Sequence, residues 1–301
     1  MKKFLSVLMA GAMLFGVLTL AGCGDTTTDT GEDTTTTEDT TTTAEFTTVT
    51  EGVLTMSTNA AFPPYEMTDD SGNIVGIDAE IAAAIAEKLG LELQIDDMDF
   101  DGALAAPQSG KSDIVMAGVT VNEERQLVLD FSNTYANGVQ KVIVAEGSDI
   151  TMENLGEQQI GTQKGTTGNI LTTDEFGEDH VIAYDDAIAA VQALNNGQID
   201  CVVIDSAVAD NLVEANPGLT TLDTDYANEE YAIGVAKGNT ALLDAINTAL
   251  QELIDDGTVQ SIIDKYIPSD GAEADTAGAT DEAGATDEAG ATDGAEADTA
   301  A

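Results

Sequence analysis

A single arginine, Arg125, stands in a chain of 301 residues that carries 56 Asp and Glu. A guanidinium binds a carboxylate through two parallel hydrogen bonds, a geometry an ammonium cannot reproduce. The competing reading is a surface ion pair, which contributes little. Arg125 follows Ala117-Gly118-Val119-Thr120, where a strand gives way to a helix, and that position suits a carboxylate clamp. A second element is the loop Gly161-Thr162-Gln163-Lys164-Gly165-Thr166-Thr167-Gly168. Backbone N–H groups at the start of a helix favour an anion, although a plain tight turn accounts for the same residues. The loop lacks the Gly-x4-Gly-Lys-Ser/Thr spacing of a mononucleotide site. Asp205 closes the run Ile199-Asp200-Cys201-Val202-Val203-Ile204. Its carboxylate either caps a helix over 206–216 or accepts from an ammonium group, and the two uses are compatible. One cation and one anion-binding loop facing one carboxylate suit a zwitterion: carboxylate at Arg125 and the loop, ammonium at Asp205. Phe62, Tyr65 and Phe100 add aromatic surface near strand ends, from only seven Phe, six Tyr and no Trp. His180, the one histidine, lies in the acidic loop Glu178-Asp179-His180 and reads as solvated. No nucleophile–base pair and no metal-ligand cluster is visible, so no catalytic residue, cofactor or metal is expected.

The elements that must position these residues follow from hydrophobic period. Ile77, Ile81, Ile85 and Leu89 are spaced by four, one stripe of a helix that Gly90 ends. Strands are expected at 53–56, 91–95, 113–117, 139–145, 159–162, 181–183, 199–204 and 231–236. Helices are expected at 101–109, 122–128, 166–176, 185–196 and 206–216. Two more close the fold, one with an apolar face from Leu242 to Ile254, the other from Val259 to Tyr266, stopped by Pro268. Alternating strands and helices predict an α/β architecture with mostly parallel sheets, in which ligands bind beyond the carboxyl ends of strands. A weak internal echo, Gly110-Lys-Ser-Asp113-Ile-Val115 against Gly197-Gln-Ile-Asp200-Cys-Val202, suggests two similar lobes. Five residues beyond each Asp stand Gly118 and Asp205, one strand end per lobe.

Lys and Arg number 9, so the formal net charge is −47. That excludes a nucleic-acid binder held by phosphate contacts and a polybasic lipid-surface binder. The ends account for part of the charge and are not expected to fold. Met1-Lys2-Lys3, the apolar stretch Phe4–Leu20 and a small-residue end read as an export signal over 1–22. Its end, Leu20-Ala21-Gly22-Cys23, resembles the lipobox of bacterial lipoproteins; this implies cleavage before Cys23 and a lipid on its sulfur. Cys201 is then unpaired, a buried and inert thiol. Residues 23–50, rich in Thr and acids, read as a disordered tether, and 269–301, with its repeated Ala-Gly-Ala-Thr-Asp-Glu, as a disordered acidic tail.

The segments Thr58 to Glu66, Gly76 to Ile81, Met98 to Gly102, Ala117 to Thr120 with Glu124-Arg125, Gly161 to Gly168 and Tyr184 to Asp205 resemble the solute-binding proteins of amino-acid ABC transporters. The resemblance spans 53–267 in one order. It implies a two-lobed periplasmic-binding-protein type II fold with hinge crossings near 135–140 and 227–232. Lobe one would be 51–135 with 231–268, and lobe two 138–228. Carried over by position, Arg125 holds the ligand carboxylate, with Thr166 and Thr167, and Thr120 gives backbone and hydroxyl contacts. Asp205 and the Gly118 carbonyl take the ammonium, Phe62 and Phe100 pack on the ligand side chain, and Asn59 and Gln163 help choose it. Asn59 stands where several basic- or glutamine-binding relatives have Asp, which leans the expectation to polar uncharged amino acids, basic ones second. The implied protein is a monomeric, lipid-anchored receptor on the extracytoplasmic face of a bacterial membrane. It would deliver a polar L-amino acid to a permease and its ATPase, with no nucleic acid involved. Two other readings are a same-fold enzyme such as a cyclohexadienyl dehydratase, and a surface interaction protein.

Overall fold

A computed structural model describes residues 46–223 and 225–267. The expected signal peptide, Cys23, most of the tether and the repeat tail lie outside the described residues. The chain runs β1 (Val53–Thr58), β2 (Ala61–Phe62), β3 (Glu66–Thr68), β4 (Ile74–Val75), α1 (Ile77–Leu89), β5 (Glu92–Asp97), α2 (Phe100–Ala105) and β6 (Ile114–Val115). A 3-10 turn at Arg125–Leu127 leads into β7 (Leu129–Ala145), and another at Met152–Glu157 into β8 (Ile160–Gln163). Then come α3 (Thr167–Phe176), β9 (Val181–Tyr184), α4 (Ala187–Asn195), β10 (Cys201–Asp205), α5 (Ser206–Ala215) and β11 (Leu219–Thr221). The last elements are β12 (Ala227–Ala236), α6 (Thr240–Asp255) and α7 (Thr258–Tyr266).

The main sheet has the order β5-β1-β6-β12-β7-β10-β8-β9, with β11 on β7. Its two flanks are parallel: β5, β1 and β6 on one side, β10, β8 and β9 on the other. Between them β7 and β12 pair antiparallel over most of their length. These two strands carry the chain between the two lobes of the type II α/β fold. Each flank buries its own helices. The α1 stripe of Ile77, Ile81 and Ile85 and the α6 face of Leu242, Ile246 and Leu250 are fully buried on the first flank. On the second flank Ala190 and Val191 of α4 and Val208 of α5 do the same.

Several expectations change. The helix expected at 122–128 is only the 3-10 turn, because its residues offer no apolar stripe and β7 starts at Leu129; Leu127 is 77% exposed. The strand expected at 139–145 has ten more residues at its front. Ser132, Asn133, Asn137 and Gly138 hide it from a period-two reading, and pairing with β12 overrides their low strand preference. The strand expected at 231–236 likewise begins at Ala227. The small sheet β2-β3-β4 and the edge strand β11 were not expected at all. Nor does the tether stay free up to residue 50. The Val49 N–H donates to Asp113 Oδ1 (2.6 Å), and Thr50 bridges to Val53, so the fold begins ahead of residue 51.

Candidate functional site

The carboxyl ends of β1, β6, β8 and β10 converge on one cavity, as the strand-end rule requires. Asn59 follows β1, Phe62 lies on β2, and Phe100 opens α2. Gly118 and Thr120 follow β6, and Arg125 opens the 3-10 turn. From the other lobe come Gln163 at the end of β8, Thr166 and Thr167 at the start of α3, and Asp205 at the end of β10. All ten line this cavity, together with Glu66, Gln140, Ile204, Glu229 and Tyr231.

Arg125 is 6% exposed, and its backbone N–H is held by Asn122 Oδ1 (2.8 Å). Nη1 donates to the Thr120 carbonyl (2.8 Å) and Nη2 to the Gly165 carbonyl (3.1 Å). The guanidinium carbon lies 5.3 Å from the centre of the Phe100 ring. Among the described residues no carboxylate lies within ion-pair distance of it. Two carbonyls therefore aim a fork that has five N–H donors in all, and the nearby Glu229, Glu124 and Asp101 act on its charge without pairing with it. The surface ion-pair reading does not describe this arrangement.

Asp205 is fully buried and does two things at once. Oδ1 caps α5 by accepting from the N–H groups of Ala207 (2.9 Å) and Val208 (3.3 Å). Oδ2 accepts from the Tyr231 hydroxyl (2.9 Å) and faces the cavity. Burial, and then the charge of Glu229, push its carboxyl up to about 7 against those bonds. Gly138 on β7 makes the approach possible, since a Cβ there would collide with the Asp205 carboxylate.

The lobe-one strand end is built on a second acidic pair. Gly118 has φ +53°, and a Cβ there would come within 2.8 Å of the Phe62 ring, so only glycine fits. Its N–H donates to Asp78 Oδ2 (2.9 Å), whose other oxygen accepts from the Tyr135 hydroxyl (2.7 Å). Burial raises Asp78 to about 6 and pushes Glu66 well above the carboxylate range. Among the described residues neither Glu66 oxygen finds a hydrogen-bond partner. The two bonds of Asp78 hold the Gly118 loop in place.

Four bonds cross the cleft. Gln163 Nε2 donates to Asn59 Oδ1 (2.8 Å), Thr167 Oγ1 to Thr120 Oγ1 (2.9 Å), and Arg125 Nη2 to the Gly165 carbonyl. Lys164 pairs with Asp101 at 2.7 Å at the exposed mouth. The lobes are therefore closed on each other. The Gln163 bond occupies Asn59 Oδ1, and within its own lobe Nδ2 donates to the Met98 carbonyl (2.9 Å). Thr166 is occupied as the cap of α3, receiving the Asn169 N–H and donating to the Gln163 carbonyl (2.7 Å). Sequence reading missed Glu66, Gln140, Glu229 and Tyr231. Three of these lie on the crossover strands, whose extent was misjudged; only the adjacent pair Glu229-Glu230, one of which a strand must bury, marked them.

Cys201, at 0% exposure, has its thiol pushed up to about 12 by burial, so it stays a neutral thiol.

A model of the bacterial extracellular solute-binding proteins, family 3, matches residues 54–269. The L-cystine-binding protein TcyJ of Escherichia coli K12 is 30% identical over 73% of this chain and 84% of its own. The arginine-binding extracellular protein ArtP of Bacillus subtilis 168 is 29% identical over 88% of this chain and 98% of its own. Among solved structures, an ancestral arginine-binding protein bound to glutamine aligns with a TM-score of 0.70 and 39% identity, over 73% of this chain and 100% of the other.

Proposed function

The chain belongs to the bacterial extracellular solute-binding proteins of family 3, and from that premise we propose that it captures a polar amino acid between its lobes and delivers it to an ABC transporter. The observation that carries this reading is the pair of opposite buried charges on one cavity. Among the described residues Arg125 has no carboxylate within ion-pair distance, and Asp205 no cation. A zwitterion satisfies both. The ligand carboxylate takes the free N–H donors of Arg125, the α3 N-terminus and the Thr167 hydroxyl. The ammonium takes Asp205, the Gly118 carbonyl and Thr120. Phe62 and Phe100 pack on the side chain. Because contacts come from both lobes, ligand shifts the population toward the closed form.

The side-chain preference moves from the one read off Asn59 alone. Gln163 Oε1 is buried at that end of the cavity without a donor among the described residues, and the lining carries Glu66, Asp205 and Glu229 against one cation. A side chain that brings N–H donors fits best, which puts basic amino acids first and glutamine second. Arginine and glutamine are among the ligands that the names of the relatives carry. Lipid anchoring at Cys23, partnership with a permease and its ATPase, and a monomeric state complete the proposed receptor. Calorimetry of the mature chain with the twenty amino acids tests the reading. Binding of a basic amino acid is the expected result; binding of none would overturn the receptor assignment.

A further inference from the structure

The ammonium end holds one more carboxylate than the sequence assigns to it. Glu229 lies on β12, where the chain crosses between lobes, and is 4% exposed. Oε1 accepts from the Thr120 hydroxyl (2.6 Å). Oε2 accepts from Gln140 Nε2 and stands 3.2 Å from the Tyr231 hydroxyl. That same hydroxyl lies 2.9 Å from Asp205 Oδ2. A phenol has one proton, so it can satisfy one of the two carboxylates and must turn a lone pair toward the other. Neither carboxylate has a cation within ion-pair distance among the described residues. Gln140 Oε1, buried beside them, has no donor either among the described residues. The cluster is short of both N–H donors and positive charge.

The cluster also ties the moving parts together. Thr167 of lobe two donates to Thr120 of lobe one, Thr120 donates to Glu229 on the hinge, and Tyr231 links Glu229 to Asp205 of lobe two. This ring of bonds is complete only with the lobes shut. The β10-β7-β12 pairing already holds the two carboxylates on the strands that flank β7; shutting the lobes takes water from them, which is costly without a counter-charge.

We propose that Glu229 is a positioning and specificity residue which, with Asp205, makes lobe closure depend on a primary ammonium group on the ligand. The proposal rests on the receptor reading above and extends it to the recognition of one ligand group. An ammonium supplies three donors and the missing charge. A hydroxyl in its place supplies one donor and no charge, so a 2-hydroxy acid cannot complete the cluster. The titratable groups around Glu229 are Asp205, Tyr231, Tyr65 and Arg125, with Glu66 and Asp78 one layer away. Of these only Arg125 is positive; Thr120 bonds both it and Glu229, and Arg125 feels the Glu229 charge but makes no ion pair with it.

The test uses Glu229→Gln in the full mature chain at pH 8, where Asp205 is ionised. L-arginine and L-glutamine are each compared with their 2-hydroxy acid counterparts by calorimetry. The amino-acid to hydroxy-acid affinity ratio should fall by about tenfold or more in the variant, the scale of one charge-assisted contact. Small-angle scattering of the ligand-free variant should show a radius of gyration shifted toward that of the closed form. Glu229→Asp, which keeps the charge, should keep the wild-type ratio and the wild-type ligand-free radius. An unchanged ratio together with an unchanged ligand-free radius in Glu229→Gln would overturn the proposal. If wild type binds no amino acid, the receptor reading fails by itself. The ligand-free scattering then decides on Glu229, and an unchanged radius sinks it.

Discussion

The two ends of the site hold their charges by different means. At the carboxylate end one guanidinium is aimed by two backbone carbonyls, Thr120 O and Gly165 O, one from each lobe. Nothing of opposite sign neutralises it within ion-pair distance among the described residues. At the ammonium end two carboxylates share a tyrosine hydroxyl and rest on the hinge. The first end is a fixed clamp: its position comes from backbone and its charge cannot be titrated away. The second is adjustable, because burial and then the charge of Glu229 push the Asp205 carboxyl up to about 7, so its charge varies with pH. The clamp therefore supplies affinity, and the acidic end decides when closure is favourable.

Removing the clamp is the severest way to break this contrast. Arg125→Ala should weaken amino-acid binding by about thirtyfold to several thousandfold, the range for losing one partner of a buried charge pair. Arg125→Lys should recover only part, because an ammonium cannot make the two-pronged contact. Titration calorimetry with L-arginine and L-glutamine measures both. Wild-type affinity in Arg125→Ala, with a lower melting temperature, would make the residue a purely structural tie between Thr120 and Gly165.

The acidic end should respond to pH where the clamp does not. Asp205 has a folded value of about 7 in the ligand-free protein, against about 3.9 in an unfolded chain. Over that interval the folded state binds more protons than the unfolded one, so ligand-free stability falls as pH rises from about 4 to about 7. Affinity moves the other way, since an ammonium needs the ionised carboxylate. It should rise over the same interval by at most about tenfold per pH unit for one coupled proton. Thermal melts with and without L-arginine across pH 4–8 check both slopes. A flat affinity profile would mean that Asp205 is ionised throughout, and the adjustable end would be no different from the clamp.

How much of this was legible depended on where the chain is locally consistent. The α1 stripe, the apolar β10 run and its terminal Asp205 could be read because period, composition and position agreed. Arg125 stood out through its rarity among 56 acids. The crossover strands could not be read that way. Residues 129–138 owe their extension to antiparallel partners nearly a hundred positions away, as in Asn137↔Glu230, and a window of neighbours carries no trace of that pairing. Glu229, Gln140 and Tyr231 were hidden with them. The Arg125 turn was mistaken for a helix because a strand-then-helix rhythm was extended across residues with no apolar face. Asn59 was given too much weight. Its nitrogen is taken by the Met98 carbonyl within its own lobe and its oxygen by Gln163 from the other, and only the tertiary structure shows that.

The smallest expected effect lies at the cleft mouth, and it sharpens the comparison by supplying a third kind of charge. Lys164 and Asp101 bridge the lobes at 2.7 Å, closer than any contact Arg125 makes with its carbonyls. Their side chains are 63% and 44% exposed. Water and salt therefore screen the pair, and two mobile side chains lose freedom in forming it. Distance alone would rank this tie first among the cleft-crossing contacts; burial ranks it last. Lys164→Ala should change amino-acid affinity by about fivefold or less, mainly through faster release, and the difference should shrink as salt is raised from about 0.05 M to 0.5 M. Stopped-flow dissociation at the two salt concentrations measures it. A salt-independent loss of tenfold or more would show that closure is latched at the mouth. The buried ends would then set selectivity without setting the stability of the closed form, and the division between clamp and acidic end would have to be redrawn around Lys164.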